Sequence, residues 1–363
     1  MQALRLSLLL LAHVGPLMAQ QTLLVGAGQP FATIPPAIAA AQPGDTVLVL
    51  GGTHSQTLDI DKGIRLIGRN AHMHFSVFPT TPAITVHDVP VGQTVAIRGF
   101  DVVPGGLTST AQLVVRDCPG PVALRDLSGG NGQLWGIGAL RAAQLHIASC
   151  FVYGVSATDS QVVCEQCLME PAALSAVSVT NSSMTLVRCT VPGGNVAFGG
   201  PGATLNSGTL VATRTEIRGN LGYAAIATVA GSIVLDPSTV LVPSGSSPAI
   251  TGPVVPTITE LASSVANTNG QLLTIDSHGG AGTLFATLVS LAAPQVATPI
   301  GPTWLDPNTA AVFYFATYDP VNRSHSITIP HPVLPAGIVF TVQAVHFAAV
   351  APAFAMPSLV ATP

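Results

Sequence analysis

Two Arg-Asp pairs, Arg116-Asp117 and Arg125-Asp126, lie nine residues apart in the sequence. Acids beside guanidinium groups suit polysaccharide cleavage, where an inverting hydrolase needs two carboxyl groups roughly 6.5–9.5 Å apart. Arg116, Asp117, Arg125 and Asp126 are therefore the catalytic candidates. The plainer reading of the same residues is two solvated ion pairs at chain corners, which are common and weak. Asp59 and Asp61 sit two apart, and so do His72 and His74. On a strand each pair shares one face. Either pair offers two ligands to a divalent cation, calcium for the acids, but two ligands do not make a site. No metal and no cofactor is expected. Glu165 and Glu170 flank Cys167 without an evident partner.

Trp135 and Tyr153 are 18 residues apart. If both faced outward one coil apart they would form a platform for sugar rings, so they are the substrate-binding candidates. The ordinary alternative is an aromatic wedge inside the fold. Five cysteines, Cys118, Cys150, Cys164, Cys167 and Cys189, leave at least one unpaired thiol. Cys164-x-x-Cys167 lacks the second pair that a zinc site requires, and a continuous strand would send its two side chains to opposite faces.

These residues must be positioned by a chain of unusual composition. Charged residues are 8 %, against about 25 % in average soluble proteins. With 36 glycines, 30 prolines and a hydrophobic content of 48 %, the chain suits short strands and tight turns rather than disorder. Lys62 and eleven arginines form no basic run and the net charge is −4, which argues against a nucleic-acid partner. Residues 1–19 read as a signal peptide: Arg5, an apolar core from Leu6 to Leu11 continuing to Val14, the break at Gly15-Pro16, and Ala19 before a cut at Gln20. That core is shorter than the roughly 20 residues of a membrane span. Ile338 to Phe354, though apolar, alternates like a strand. After cleavage the chain is expected not to span a membrane.

An internal repeat organises the middle of the sequence. Seven-residue stretches at Gln112 (QLVVRDC), Gln144 (QLHIASC), Gln161 (QVVCEQC) and Ser183 (SMTLVRC) carry apolar residues second and fourth and Cys seventh. Thr209 (TLVATRT) and Ser232 (SIVLDPS) start copies with a small polar seventh residue, and Thr94 (TVAIRGF) starts an earlier one. The starting points are 18, 32, 17, 22, 26 and 23 residues apart, and the long gap holds the apolar stretch Val122 to Leu127. A period near 20 with variable insertions is the mark of a solenoid whose coils bury their inner faces only by stacking. On this register Cys118, Cys150, Cys167 and Cys189 form one internal ladder of small apolar side chains.

The stretch from Val25 to Gly68 is the most specific. It contains Phe31-Ala32-Thr33-Ile34, the Ala-rich Ala37 to Ala41, Pro43-Gly44-Asp45-Thr46-Val47, Gly52-Thr53-His54 and Lys62 to Gly68. This order resembles the start of pectin-lyase-like parallel β-helix proteins, with His54 in place of the usual Tyr. The resemblance implies a right-handed parallel β-helix with a short N-terminal helix over its open end, where bare strand edges would otherwise invite aggregation. It makes Lys62 part of a structural turn. It carries no activity, because the fold hosts lyases, hydrolases, esterases and inert adhesins. The paired Asp and Gly-His-Gly of the family's hydrolases are absent, and so are the Gln-Asp-Thr-Leu and Asp-Phe-Ile-Phe-Gly of its pectin esterases.

After Leu241 the composition shifts. Pro243 to Pro256 reads as the exit from the solenoid. Strand-like segments from Gln271 to Phe347, punctuated by His278-Gly279-Gly280, Asp306-Pro307-Asn308 and Pro335-Ala336-Gly337, suggest a small antiparallel β-sandwich. The run from Ile327 to Phe347 is similar to C-terminal modules of large exported bacterial proteins. The expected organisation is all-β: signal peptide 1–19, parallel β-helix 20–252 and C-terminal sandwich 253–363. The expected role is a secreted or cell-surface protein, non-catalytic, that binds polysaccharide or cell-envelope components or serves a structural purpose. The alternative is a polysaccharide lyase or glycoside hydrolase acting on an acidic polymer.

Overall fold

The computed structural model describes residues 20–75, 82–104, 112–129, 136–170, 175–194, 199–269, 272–299, 301–330, 339–347, 352–355 and 358–361. The expected signal peptide and Trp135 lie outside the described residues. Between residues 22 and 258 the chain winds into a right-handed parallel β-helix built from three ladders. The first runs from Thr22–Val25 and Thr46–Leu50 through the leading parts of Arg65–Phe75 and Val95–Pro104. It continues through Val122–Arg125, Leu145–Ala148, Gln161–Glu165, Ser182–Val187, Gly208–Thr213 and Ser232–Leu235 to Thr257–Ile258. The second starts at Thr53–His54 and takes the trailing parts of those two long strands. It then follows Ser128–Gly129, Phe151–Val152, Leu168–Met169, Thr190–Val191, Glu216–Arg218 and Val240–Val242. The third climbs from Leu58–Ile60 through Ile84–His87, Leu113–Arg116, Ile137–Leu140 and Val155–Thr158. It ends through Val177–Thr180, Ala203–Leu205 and Ile226–Thr228 at Ile250–Thr251.

Two of the three corners obey one local rule. Between the first and second ladders a single residue turns the chain with a left-handed backbone: Gly99, Asp126, Ser149, Gln166, Arg188 and Arg214, at φ 74°, 50°, 52°, 52°, 53° and 50°. Between the third and first ladders Asp88, Asp117, Arg141, Asp159 and Asn181 do the same, at φ 49–54°. Asp and Asn tolerate this conformation better than other side chains. At each corner the next residue points inward and is buried: Phe100, Leu127, Cys150, Cys167, Cys189 and Thr215 at one, Val89, Cys118, Ala142, Ser160 and Ser182 at the other.

This corrects the expected cysteine ladder. Cys150, Cys167 and Cys189 do stack in one column, with Cys167 in side-chain contact with both neighbours. Cys118 stands at the other corner, its thiol against the Val86 and Arg116 carbonyls at 3.6 and 3.2 Å. The copy that precedes Gln144 in the first ladder is Pro121 to Leu127 (PVALRDL), with Leu127 in the column. Both corners follow strand, left-handed residue, small inward residue, so one sequence pattern occurs on two walls. The same rule brings Cys164 and Cys167 to the same interior, because the left-handed Gln166 resets the alternation. All five thiols are buried and free.

The N-terminal end is closed by α1, Ile34–Ala40, which begins with prolines in its first turn, where no backbone donor is needed. It buries Ile34, Ala37 and Ile38 over the first coil. Lys62 Nζ donates to the Ala39 and Ala41 carbonyls at 3.3 and 3.0 Å, meeting the helix's unpaired C-terminal acceptors. Asp45 accepts from the backbone of Gln21 and Gln42, both at 2.8 Å, and fixes the turn into the second strand.

The solenoid's last strand, Thr257–Ile258, lies beyond the expected boundary at 252. The C-terminal part forms two antiparallel sheets. One joins Ser263–Asn269, Leu272–His278 and Ser324–Pro330. The other is centred on Leu284–Thr298 and Val339–Phe347, with Gly301–Leu305, Ala311–Thr317, Pro352–Phe354 and Ser358–Ala361. Ala266, Leu273 and Ile275 of the first pack on Phe340 and Val342 of the second. Phe285 stacks on Tyr318 at 4.2 Å. Among the described residues no helix is long and apolar enough to cross a membrane.

Candidate functional site

The sandwich lies on the outer face of the first ladder. Ordinary solvent-facing strands alternate buried and partly exposed, as Ile137–Leu140 and Val177–Thr180 of the third ladder do. Val122–Arg125 and Leu145–Ala148 are buried at every position. Trp304 of the sandwich sits on the small outward residues Ala96, Ala123 and Val163. Beside it is a sealed polar knot. His146 Nε2 is 2.7 Å from Glu165 Oε2, Ser358 Oγ donates to the same oxygen at 2.9 Å, and Arg125 Nη2 donates to the Ala266 carbonyl at 2.9 Å. The part of the first-ladder face that carries Arg125, His146 and Glu165 is thus closed to polymer.

The four catalytic candidates are not brought together. Arg125 is buried in that knot. Asp126 pairs with Arg98 Nε at 2.8 Å, one coil away on the same ladder. Asp117 stands at the corner between the third and first ladders and takes two hydrogen bonds from Arg141, at 2.5 and 3.1 Å, which hold its carboxyl below the usual carboxylate range. Arg116 is exposed on the third ladder. Asp59 pairs with His87 Nε2 at 2.9 Å, and Asp88 holds the other ring nitrogen at 2.8 Å. These two acids raise the His87 pKa, the hydrogen bond that its ring donates to Asp88 contributing most. Among the described residues no group of three or more His, Cys, Asp or Glu is arranged to hold a metal ion. Tyr153 is no open platform: it is 7 % exposed, 5.8 Å from the Phe151 ring, and burial with a hydrogen bond to Glu170 raises its pKa.

The accessible chemistry is on the second ladder. Register places His72, Asp101, Ser128, Phe151, Leu168, Thr190 and Glu216 in one outward column, one residue per coil. His72 Nδ1 lies 3.1 Å from Asp101 Oδ2, and Ser128 Oγ donates to Asp101 Oδ1 at 3.1 Å. Next along the column are the half-buried ring of Phe151 and Leu168, which is 45 % exposed. Six of these residues follow directly after a seventh repeat position or its equivalent: Asp101 after Phe100, Ser128 after Leu127, Phe151 after Cys150, Leu168 after Cys167, Thr190 after Cys189 and Glu216 after Thr215. That offset was the available signal in the sequence. The repeat pattern marks the interior residues and leaves their outward neighbours, which vary in type from coil to coil, without a signature.

The order of groups limits the chemistry. A serine nucleophile needs the imidazole between itself and the acid. Here the acid is in the middle, and His72 is two coils, about 10 Å, from Ser128. Glu216, the next carboxylate along the column, is five coils from Asp101, about 24 Å, too far for the carboxyl pair of a glycosidase. An apolar ring beside a carboxylate, a hydroxyl and an imidazole instead matches a surface that stacks on a sugar face and hydrogen-bonds its hydroxyls.

No family model matches the chain, and no curated protein matches it. Among solved structures, the pectin methylesterase of Aspergillus niger in penultimately deglycosylated form is 15 % identical, over 63 % of this chain and 89 % of its own, with a TM-score of 0.39. The likeness is one of fold. The same enzyme in deglycosylated form is 12 % identical, covering 66 % and 85 %, with a TM-score of 0.28. The enzymatically active domain of tailspike protein 2 of bacteriophage CBA120 is 9 % identical, covering 83 % and 68 %, with a TM-score of 0.28.

Proposed function

We propose that the chain is an exported, non-catalytic β-helix protein that binds glycan along the exposed face of its second ladder. The observation that carries this reading is the outward column His72–Asp101–Ser128–Phe151–Leu168. It presents one polar cluster and one apolar step at the coil spacing, on a wall that the sandwich leaves open. The sealed first-ladder face and the separation of carboxylates along the column weigh against cleavage.

The test is a glycan array and a panel of uronate polysaccharides run on the mature protein. Wild type is expected to retain at least one glycan without releasing reducing ends or unsaturated products. Phe151→Ala is expected to weaken retention about 3–10-fold, the range for losing one aromatic stacking contact. Cleavage of any polymer, or an unchanged affinity in Phe151→Ala, overturns the proposal.

A further inference from the structure

The seam between solenoid and sandwich holds a second cluster, distinct from the open column. Arg188 and Arg214 occupy the corner between the first and second ladders in consecutive coils. From the sandwich, Asp276 and His278 share one face of the strand Leu272–His278, and Arg323 precedes the strand that pairs with it. Arg188 Nη1 bonds Asp276 Oδ2 at 2.9 Å, and Arg323 Nη2 bonds Asp236 Oδ2 at 3.3 Å. Asp236 also accepts from the backbone N–H groups of Leu261 and Ser238 and from the Ser238 hydroxyl. The buried Asp236 and the partly exposed Asp276 are therefore both committed. Arg214 has no carboxylate partner of its own among the described residues. Glu260, more than half exposed, reaches only Arg323 from the rim, at 3.8 Å.

Four buried nitrogens in this cluster lack a hydrogen-bond partner: Arg188 Nε, Arg214 Nη1 and both ring nitrogens of His278. A buried polar group left unmet is destabilising, so their concentration in one place calls for an acceptor. His278 is 4 % exposed. Burial, helped by Arg214 and Arg323, lowers its pKa to about 4, so at neutral pH it is uncharged and offers one N–H. Three guanidinium groups meet Asp236 and Asp276 within the cluster, and the third carboxylate, Glu260, stands at its exposed rim. Arg188 and Arg323 each remain about one-fifth exposed, so solvent reaches the edge of the cluster.

We propose that this seam binds an oxyanion, a sulfate or a carboxylate, through Arg188 Nε, Arg214 Nη1 and one His278 N–H. The planar guanidinium fork matches such groups in shape as well as charge. The anion is either a free ion or a charged group of an acidic glycan. Because its donors come from both units, binding it fastens the sandwich to the solenoid. The site shares no residue with the glycan-binding column, so either proposal stands if the other fails.

The test uses the whole mature chain at constant ionic strength, titrated with millimolar sodium sulfate and, separately, with a uronate oligomer. Wild type is expected to show a saturable rise in Tm and an upward shift of the His278 ring titration followed by NMR. Arg214→Gln is expected to weaken apparent affinity about tenfold or more, the loss of one charged hydrogen bond. Arg116→Gln, on the far third ladder, is expected to change neither readout. Arg214→Lys keeps the charge without the fork, so a partial loss is expected, and it serves if Arg214→Gln does not fold. A response to sulfate alone assigns a free ion, and a stronger response to the oligomer assigns an acidic glycan; both uphold the site. No saturable response, or the same response in Arg214→Gln, overturns it.

Discussion

At the scale of the residue, the coil is shaped by single left-handed positions. Ser149 is one, at φ 52° between Leu145–Ala148 and Phe151–Val152. The left-handed backbone brings any Cβ close to the following carbonyl, a cost of roughly 1–2 kcal/mol that Ser149 already bears and glycine escapes. Ser149→Val adds a second β substituent and is expected to lower stability by up to about 1 kcal/mol in a urea titration, whereas Ser149→Gly is expected to keep or raise it. The pattern of these corners was legible: polar residue, then small inward residue, recurring near a period of 20. Their assignment to walls was not, because Asp117-Cys118 and Ser149-Cys150 obey one rule at different corners. The site was less legible still. His72, Asp101 and Ser128 are far apart in sequence and meet only through coil register. That register depends on connections whose lengths differ from coil to coil, both between the second and third ladders and between the third and first.

At the scale of the element, the first ladder is a sheet covered on both faces. Its strands accordingly hold apolar or small residues at outward positions, such as Ala96, Ala123, Ala148, Val163 and Val187. The sequence showed these residues, but a period-two reading treats outward positions as solvent-facing and gives no reason for a domain to dock there. Glu165 is the centre of the docking knot, bonded by Ser358, beside His146 and in electrostatic reach of Arg125. Removing one member of a buried charge cluster strands the rest, at about 3–5 kcal/mol. Glu165→Ala is expected to cost that much by chemical denaturation. It should also raise protease cleavage between residues 253 and 262 if the sandwich loosens.

At the scale of the whole molecule, two histidines tie stability to pH. Burial lowers both His278 and His346 to about 4, His278 with help from neighbouring arginines. In the unfolded chain both titrate near 6.5. Between those values the unfolded state binds more protons, so stability is full above about 6.5 and falls as pH drops toward 4. Tm is expected to decline across that window, and the slope should flatten in a His278→Asn, His346→Asn double variant. Below it, Asp236 and Asp276 extend the decline, because their native hydrogen bonds lower both carboxyls despite burial. The sequence places a sandwich after the solenoid and says nothing of how the two pack. In the fold the sandwich grips the solenoid from Ala96 near one end, through Trp304, to Asp236 near the other, through Arg323. A stack joined only neighbour to neighbour frays from its tips one ring at a time. Here a rigid brace spans seven rings, and ring-by-ring fraying gives way to all-or-none failure.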